Sequence, residues 1–356
     1  MAIVKHAMAF NIFQRFATSE LTHSGIWAWI IQSLDDDAPA ELHELRSAAR
    51  SLLQRMGVLD FESPVSVRRE RSLDGEAGRV DIEVIDGKRR VVVIETKVSS
   101  APDVTQRQRY ADKYRSLGEN LVGIAIVSTR FDEPWNDIGV GHVGASDLLA
   151  VLGPKVYDQS VIRQYVAWLE NTIRTRSAEV ESALSSNPDE CSAALQSPAA
   201  QWGVMRRLGD ALGGPTCGRL TAGQNNDGSA WTQLRFSPGG PPAFDALFYR
   251  LESWKGRAAQ FTLRQYQKPA DAEKLDRLRR LREMFRVATV GCAVAFDTEP
   301  KRARVRAEEA KVAQVLFPDS TMAATLAHLP TVHSAFVAQL RAAEWPLEAD
   351  ADSSGA

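Results

Sequence analysis

The sequence has few of the features that define several large classes of protein. It contains only three cysteines in 356 residues, Cys191, Cys217 and Cys292, and such widely spaced thiols favour neither a disulfide framework nor a zinc site. Its formal net charge is −2 at pH 7, so any binding of nucleic acid must come from local basic patches. No apolar run approaches the length of a membrane span. We therefore expect a protein of the reducing cytoplasm with no membrane partner.

Acidic residues and one lysine lie on two neighbouring strand patterns. Residues 80–85 alternate, which predicts a strand with Val80, Ile82 and Val84 on one face and Asp81 and Glu83 on the other. Residues 90–98 contain a β-branched run, and a period of two places Glu95 and Lys97 on one face of that strand. The two strands carry the groups of a candidate site.

The turn between these strands decides whether the two carboxylates can meet. Asp86 and Gly87 form a hairpin signal. A two-residue loop would place Asp81 and Glu95 on opposite faces of the sheet. A three-residue loop of residues 86–88, with positive φ at Gly87, or a nearby bulge, would pair Asp81 with Val93. Asp81 and Glu95 would then be diagonal neighbours on one face, roughly 7 Å apart.

Two carboxylates at this spacing form a hard oxygen site that suits Mg²⁺ or Mn²⁺. A metal held by Asp81 and Glu95 would activate water and neutralise charge on a phosphate. Lys97 could orient or deprotonate that water and stabilise the negative charge that develops at phosphorus. The pattern predicts a metal-dependent nuclease with Asp81, Glu95 and Lys97 as catalytic residues.

At these residues the chain resembles the PD-(D/E)XK nuclease superfamily, whose motif is an acidic residue, a hairpin and Glu-x-Lys. Gln106 and Tyr110 lie one helical turn apart on the helix predicted next, and they are similar to the Gln-x-x-x-Tyr motif of the RecB-like branch. The resemblance implies a restriction-endonuclease-like α/β fold, a mixed sheet flanked by helices. It also implies that Gln106 faces the active site and that Tyr110 lies near the nucleic acid.

A helix is predicted near residues 20–32. With its runs at 11–13, 20–24 and 27–29, the amino-terminal region resembles the first helix of an uncharacterised bacterial nuclease family in the same superfamily. In that family a polar residue of the first helix helps to hold the metal, which makes Glu20 and His23 candidate ligands. Each candidate also has a purely structural interpretation. Glu20 could interact with the helix dipole, and His23 could be a satisfied core histidine. Tyr110 could pack with Tyr114 on an apolar helix stripe, and Asp81 and Glu83 could lie on a solvated strand face.

The composition allows two domains in a chain of this length. We predict a nuclease-like domain at 1–155, a long helix and linker at 156–200, and a second α+β domain at 201–356. A helix predicted at 270–286 has an apolar stripe of Leu275, Leu278 and Leu281. Its other faces are rich in arginine and are either a solvated surface or a surface that follows phosphates. The arginines expected to contact nucleic acid are Arg277, Arg280 and Arg286.

The sequence therefore predicts a Mg²⁺-dependent deoxyribonuclease that hydrolyses DNA phosphodiester bonds. The resemblance implies an endonuclease with a role in bacterial defence against foreign or phage DNA. One alternative is a DNA-binding or regulatory protein that keeps the nuclease fold without turnover. Another is a nuclease of DNA repair or recombination. Self-association into a homo-oligomer is left open by the sequence.

Overall fold

The computed structural model describes most of the chain. The described residues are 11–15, 19–59, 61–73, 78–98, 104–129, 140–153, 157, 159–187, 193–214, 218–236, 247–266, 274–292, 295–297, 309–316 and 321–343. Two compact units divide the chain, and the boundary falls between Arg176 and Ser177. That boundary lies inside a long helix, Ser160–Ser185, whereas the sequence analysis placed the domain boundaries at its two sides.

The first unit is built on a five-stranded sheet with the strand order β1-β2-β3-β4-β5. The first three strands are antiparallel, while β3, β4 and β5 are parallel. The strands are β1 Ser66–Leu73, β2 Gly78–Ile85, β3 Arg90–Lys97, β4 Asn120–Ser128 and β5 Val140–Gly144. The helices are α1 Ile12–Arg15, α2 Glu20–Gln32, a 3-10 helix Ala40–Leu45, α3 Arg46–Arg55, α4 Val104–Ser116, α5 Ala145–Leu152 and α6 Ser160–Ser185.

Helices cover both faces of this sheet. A large apolar cluster joins Ile94 of β3 to buried residues of α2, α3, α5 and α6, including Trp27 and Leu169. A smaller cluster on the other face packs Tyr110 and Tyr114 of α4 against the sheet. Because β3 is buried on both faces, apolar side chains are needed at its successive positions, and the sequence provides a run of β-branched residues there. The predicted mixed α/β sheet with helices on both faces is confirmed.

The hairpin between β2 and β3 has an odd loop, as predicted, but its register differs. Glu83 pairs with Val93, where the prediction had paired Asp81. The loop closes with a hydrogen bond from the Asp86 N–H to the Arg90 carbonyl, 3.1 Å, and the positive φ of 59° belongs to Arg89. Gly87 is needed for another reason, because a Cβ there would lie 2.4 Å from a backbone oxygen, that of Ser63.

The alternation of β2 breaks at Asp81. Ile82 packs in the large cluster, whereas Val80 packs in the small cluster on the opposite face. The prediction that both face the same side is therefore wrong. Opposite the break on β1, Glu70 has a φ of 55°, and the regular pairing of β1 with β2 skips this position. Such a local irregularity re-aims one side chain without disturbing the rest of a strand.

The second unit contains a six-stranded antiparallel sheet with the order β10-β11-β9-β8-β7-β6. Its strands are β6 Gly218–Gln224, β7 Ala230–Phe236, β8 Leu247–Trp254, β9 Arg257–Tyr266, β10 Ala295–Asp297 and β11 Glu309–Leu316. Its helices beyond α6 are α7 Ala193–Gln196, α8 Pro198–Ala211, α9 Lys274–Ala288 and α10 Met322–Ala342.

Two details of this unit correct the sequence analysis. The linker predicted in the later part of 156–200 contains α7 and the start of α8, because Ser197 caps a helix that opens with Pro198. On α9, Leu278 and Leu281 are buried as expected, but Leu275 is exposed. Among the described residues, no helix has the length and apolar character needed to cross a membrane.

Candidate functional site

Glu95 is the centre of a polar cluster at the end of β3. Its carboxylate is nearly buried, at 4% exposure, and Lys97 is 9% exposed. The Lys97 ammonium lies 2.6 Å from Glu95 Oε1, because residues two apart on a strand share a face. Gln106 Nε2 of α4 donates to the same oxygen over 2.8 Å. The structure thus brings three of the predicted catalytic residues together.

Tyr110 completes the surroundings of Glu95 from one turn further along α4. Its hydroxyl accepts from Gln106 Nε2 at 2.7 Å, and it lies 3.0 Å from Glu95 Oε2 and 2.7 Å from the Arg79 carbonyl oxygen. One hydroxyl proton can serve only one of these acceptors at a time. The Tyr110 side chain is fully buried, so the expectation that it contacts nucleic acid is wrong.

Asp81 lies beside Glu95 on the neighbouring strand. The regular pairing of β2 with β3 ends at Ile82 and Ile94, and just beyond it the charge of Glu95 acts on the Asp81 carboxyl. Asp81 Oδ2 accepts from the backbone N–H of Thr96 at 2.7 Å. The odd hairpin loop and the irregularity at Glu70 therefore aim Asp81 at the end of β3.

The electrostatics of the cluster reflect crowded negative charge. Burial and the charge of Glu95 raise the pKa of Asp81 from 3.8 to about 6, against the lowering effects of the Thr96 N–H and Lys97. Burial and Glu95 also raise the pKa of Tyr110 above its ordinary value of 10.0, so its hydroxyl keeps its proton at neutral pH. A bound cation would relieve the cost of ionising Asp81 next to Glu95.

The two candidate ligands of α2 lie in different surroundings. Glu20, which follows the N-cap Ser19, accepts from the N–H of Val98 through Oε1 at 3.1 Å, and so reaches the residue after Lys97. His23 is fully buried, with its ring Nδ1 3.3 Å from the Tyr165 hydroxyl and its ring centroid 4.4 Å from that of Trp168. This packing gives His23 a structural role in the aromatic core.

The donor set fits a hard divalent cation. Among the described residues, no group of three or more histidine, cysteine, aspartate or glutamate side chains is arranged to hold a metal. Mg²⁺ does not require such a cage, since it is often bound by one or two carboxylates with water and substrate phosphate in the other positions. Asp81 and Glu95 supply two such carboxylates, and the raised pKa of Asp81 is consistent with a site that gains from a cation.

The arginines predicted to contact nucleic acid lie on α9 of the second unit. Arg280 and Arg286 are exposed and Arg277 is partly exposed. Arg286 forms an ion pair with Glu283 of the same helix, with Nε and Oε2 2.9 Å apart. Four basic residues that follow α9 in the sequence could also contact phosphates, but they lie outside the described residues: Lys301, Arg302, Arg304 and Arg306.

Sequence reasoning missed several groups around the cluster. The Thr96 N–H and the Arg79 carbonyl are backbone groups, which a sequence motif cannot display. Glu83 was grouped with Asp81 on a solvated face, yet it is fully buried and accepts from the Tyr114 hydroxyl at 2.7 Å. The spacing of Tyr114 four residues after Tyr110 was the available signal, but it was assigned to apolar packing.

Comparison of the chain with models of protein families, with curated proteins and with solved structures finds no match in any of the three. The function is therefore inferred from the geometry of the cluster around Glu95.

Proposed function

We propose that this protein is a Mg²⁺-dependent nuclease of the PD-(D/E)XK type that hydrolyses DNA phosphodiester bonds. The observation that carries the proposal is the convergence on Glu95 Oε1 of Lys97 Nζ at 2.6 Å and Gln106 Nε2 at 2.8 Å. Asp81 on the adjacent strand completes the acid, acid, lysine set. The mixed sheet, with its antiparallel hairpin and parallel continuation, supports a restriction-endonuclease-like fold.

Each side chain has a role that follows from its position. Asp81 and Glu95 would hold Mg²⁺, which when bound lowers the pKa of water and neutralises charge on the phosphate. Lys97 carries a positive charge at the rim of the cluster, where it can hold the attacking water and stabilise negative charge that develops on the phosphate oxygens. The Gln106 amide can orient the water or the phosphate without changing the charge of the site.

A cleavage assay tests the proposal. Plasmid and linear DNA are incubated with the protein in Mg²⁺ or in EDTA, and Glu95→Gln and Lys97→Ala are compared with the wild type. We expect Mg²⁺-dependent cleavage that falls by about 10²–10³-fold or more in each variant, because each removes charge that acts on the transition state. The matched controls are Glu62→Gln and Lys88→Ala, which alter an exposed ion pair of the same unit and should cleave normally.

The assay also separates the rival functions. A regulatory protein with a nuclease fold would bind DNA without cleaving it in any metal. A repair or recombination nuclease would prefer nicked or branched DNA to intact linear duplex. Full activity of both Glu95→Gln and Lys97→Ala would refute the assignment of the site.

A further inference from the structure

Helix α4 presents three polar side chains one turn apart on a single face. The first two, Gln106 and Tyr110, contact Glu95 as described above. The third, Tyr114, donates its hydroxyl proton to Glu83 Oε1 over 2.7 Å. The Glu83 side chain has no exposed surface, and Glu83 pairs with Val93, two residues before Glu95. Three successive turns of α4 are thus fixed to the two strands that carry the site.

Arg71 of β1 extends this attachment to the end of the helix. Its guanidinium forms an ion pair with Glu83 and another with Glu119, with Nη2 and Oε1 of the second pair 2.8 Å apart. The Glu119 N–H donates to the Tyr114 carbonyl at 3.1 Å, after a glycine with positive φ, Gly118, in the manner of a helix C-terminal cap. The guanidinium also lies over the Tyr114 ring, 5.5 Å from its centroid.

Glu83 and Glu119 share the Arg71 guanidinium in this network, and Glu83 Oε2 also lies 3.5 Å from Nη1 of Arg68. The hydrogen bond to Glu119 raises the pKa of Arg71, and the same bond lowers the pKa of Glu119. Loss of Arg71 would remove the nearer cation from the buried Glu83 carboxylate, which is costly. Two apolar side chains in place of Tyr114 and Glu83 could pack between α4 and the sheet in several positions, whereas a buried ion pair with its hydrogen bonds needs exact geometry. The network therefore restricts the position of α4 more than apolar packing alone would.

We propose that Tyr114 and Glu83 are positioning residues that hold α4 in the register at which Gln106 and Tyr110 meet Glu95. The inference depends on the proposed nuclease function, since it assigns these residues to the same reaction. A helix moves as a rigid element over two turns, so a shift at Tyr114 is passed on to Gln106. Misplacement of a catalytic group by about 1 Å can cost about a hundredfold in rate.

The test is Tyr114→Phe, which removes only the hydroxyl. We expect DNA cleavage at saturating DNA to slow about tenfold or more, with the KM for DNA unchanged. Combined with Gln106→Ala, the substitution should cause a smaller loss than it does alone, because part of its effect acts through Gln106 and only the part that acts through Tyr110 remains. The matched control is Tyr165→Phe, which loses a buried hydrogen bond of the same unit, from Trp27 Nε1 at 3.0 Å, on the opposite face of the sheet. It should cleave at the wild-type rate with a similar loss of thermal stability.

The inference would be overturned if Tyr114→Phe cleaved DNA at the wild-type rate. It would also be overturned if the rate loss of the double variant, Tyr114→Phe with Gln106→Ala, equalled the product of the two single losses. Amide hydrogen exchange across residues 104–116 provides a readout that needs no activity. We expect exchange about tenfold faster in Tyr114→Phe and unchanged in Tyr165→Phe, and unchanged exchange in both would refute the anchoring role. If exchange is faster in Tyr114→Phe, as expected, but the wild-type protein cleaves no DNA, the proposed function fails while the anchoring of α4 stands.

Discussion

The substitution Asp81→Asn should stabilise the protein in the absence of divalent cations, although it removes a proposed metal ligand. Burial and Glu95 raise the pKa of Asp81 from 3.8 to about 6, so ionising Asp81 costs more in the folded state than in the unfolded state. At about 1.4 kcal/mol per pKa unit, the difference corresponds to about 3 kcal/mol. Because the side chain is only partly buried, solvent screening reduces this to about 1–2 kcal/mol.

The pH dependence of the effect has a definite sign. The pKa of Asp81 is higher in the folded state, so ionisation of this carboxyl destabilises the protein increasingly as the pH rises from about 4 to 6 and by a constant amount above that range. An asparagine has no such charge, and its amide oxygen can still accept from the Thr96 N–H. Asp81→Asn should therefore be more stable than the wild type at pH 8, and the difference should shrink towards zero near pH 4.

Thermal unfolding in EDTA, followed by circular dichroism, measures this difference. A gain of about 1–2 kcal/mol should raise the Tm by about 3–6 °C at pH 8 in a unit of this size. The control Asp112→Asn alters an exposed carboxylate that pairs with Arg115, and it should change stability by less than about 0.5 kcal/mol. Added Mg²⁺ should raise the Tm of the wild type more than that of Asp81→Asn. An Asp81→Asn protein less stable than the wild type at pH 8 would refute the reasoning.

The remaining predictions concern Gln106, Tyr110 and the helix α9. Gln106→Ala should slow cleavage by about one to three orders of magnitude, about 1.4–4 kcal/mol in the transition state, with Mg²⁺ binding retained in calorimetry; equal turnover would remove the RecB-like assignment. Tyr110→Phe should also slow cleavage, since its hydroxyl contacts Glu95, and wild-type kinetics would limit Tyr110 to packing. Reversing the charge of Arg277, Arg280 and Arg286 on α9 should weaken DNA binding and flatten its salt dependence. Unchanged binding isotherms would show that these arginines only form a solvated face.

Periodicity predicted the first unit well because its elements have strong local patterns. The helix α2 was expected at 20–32, and the structure has Glu20–Gln32, where Ser19 provides the N-cap. The odd parity of the β2–β3 loop was predictable because a shift of one residue would have placed Asp81 and Glu95 on opposite faces of the sheet. The exact register was not predictable, because the residue with positive φ is Arg89 and not Gly87. Which residue takes that conformation depends on the close approach of Gly87 to Ser63, a contact distant in sequence.

The second unit was harder to predict because its local preferences conflict with its fold. The strand β11, Glu309–Leu316, contains alanine, glutamate, lysine and glutamine, residues that favour helices in isolation. It forms a strand because β9 and β10 pair with its two edges, and strand preference depends mainly on such neighbours. No window of the sequence contains that information, since the partner strand β9 lies more than 40 residues earlier in the chain.

Helix α2 shows why the candidate site could be predicted only in part. Glu20 and His23 are three residues apart, so they lie on neighbouring parts of one helix surface, and sequence spacing could not distinguish their roles. The packing of α2 distinguishes them, since the N-terminal end of the helix reaches Val98 at the end of β3 while the His23 ring contacts Tyr165 of α6. Helix α2 can place one side chain at the polar cluster and the next turn in the apolar core only when both the end of β3 and helix α6 are packed against it. The assignment of Glu20 to the cluster edge and of His23 to the aromatic core therefore depends on long-range packing that a linear motif does not encode.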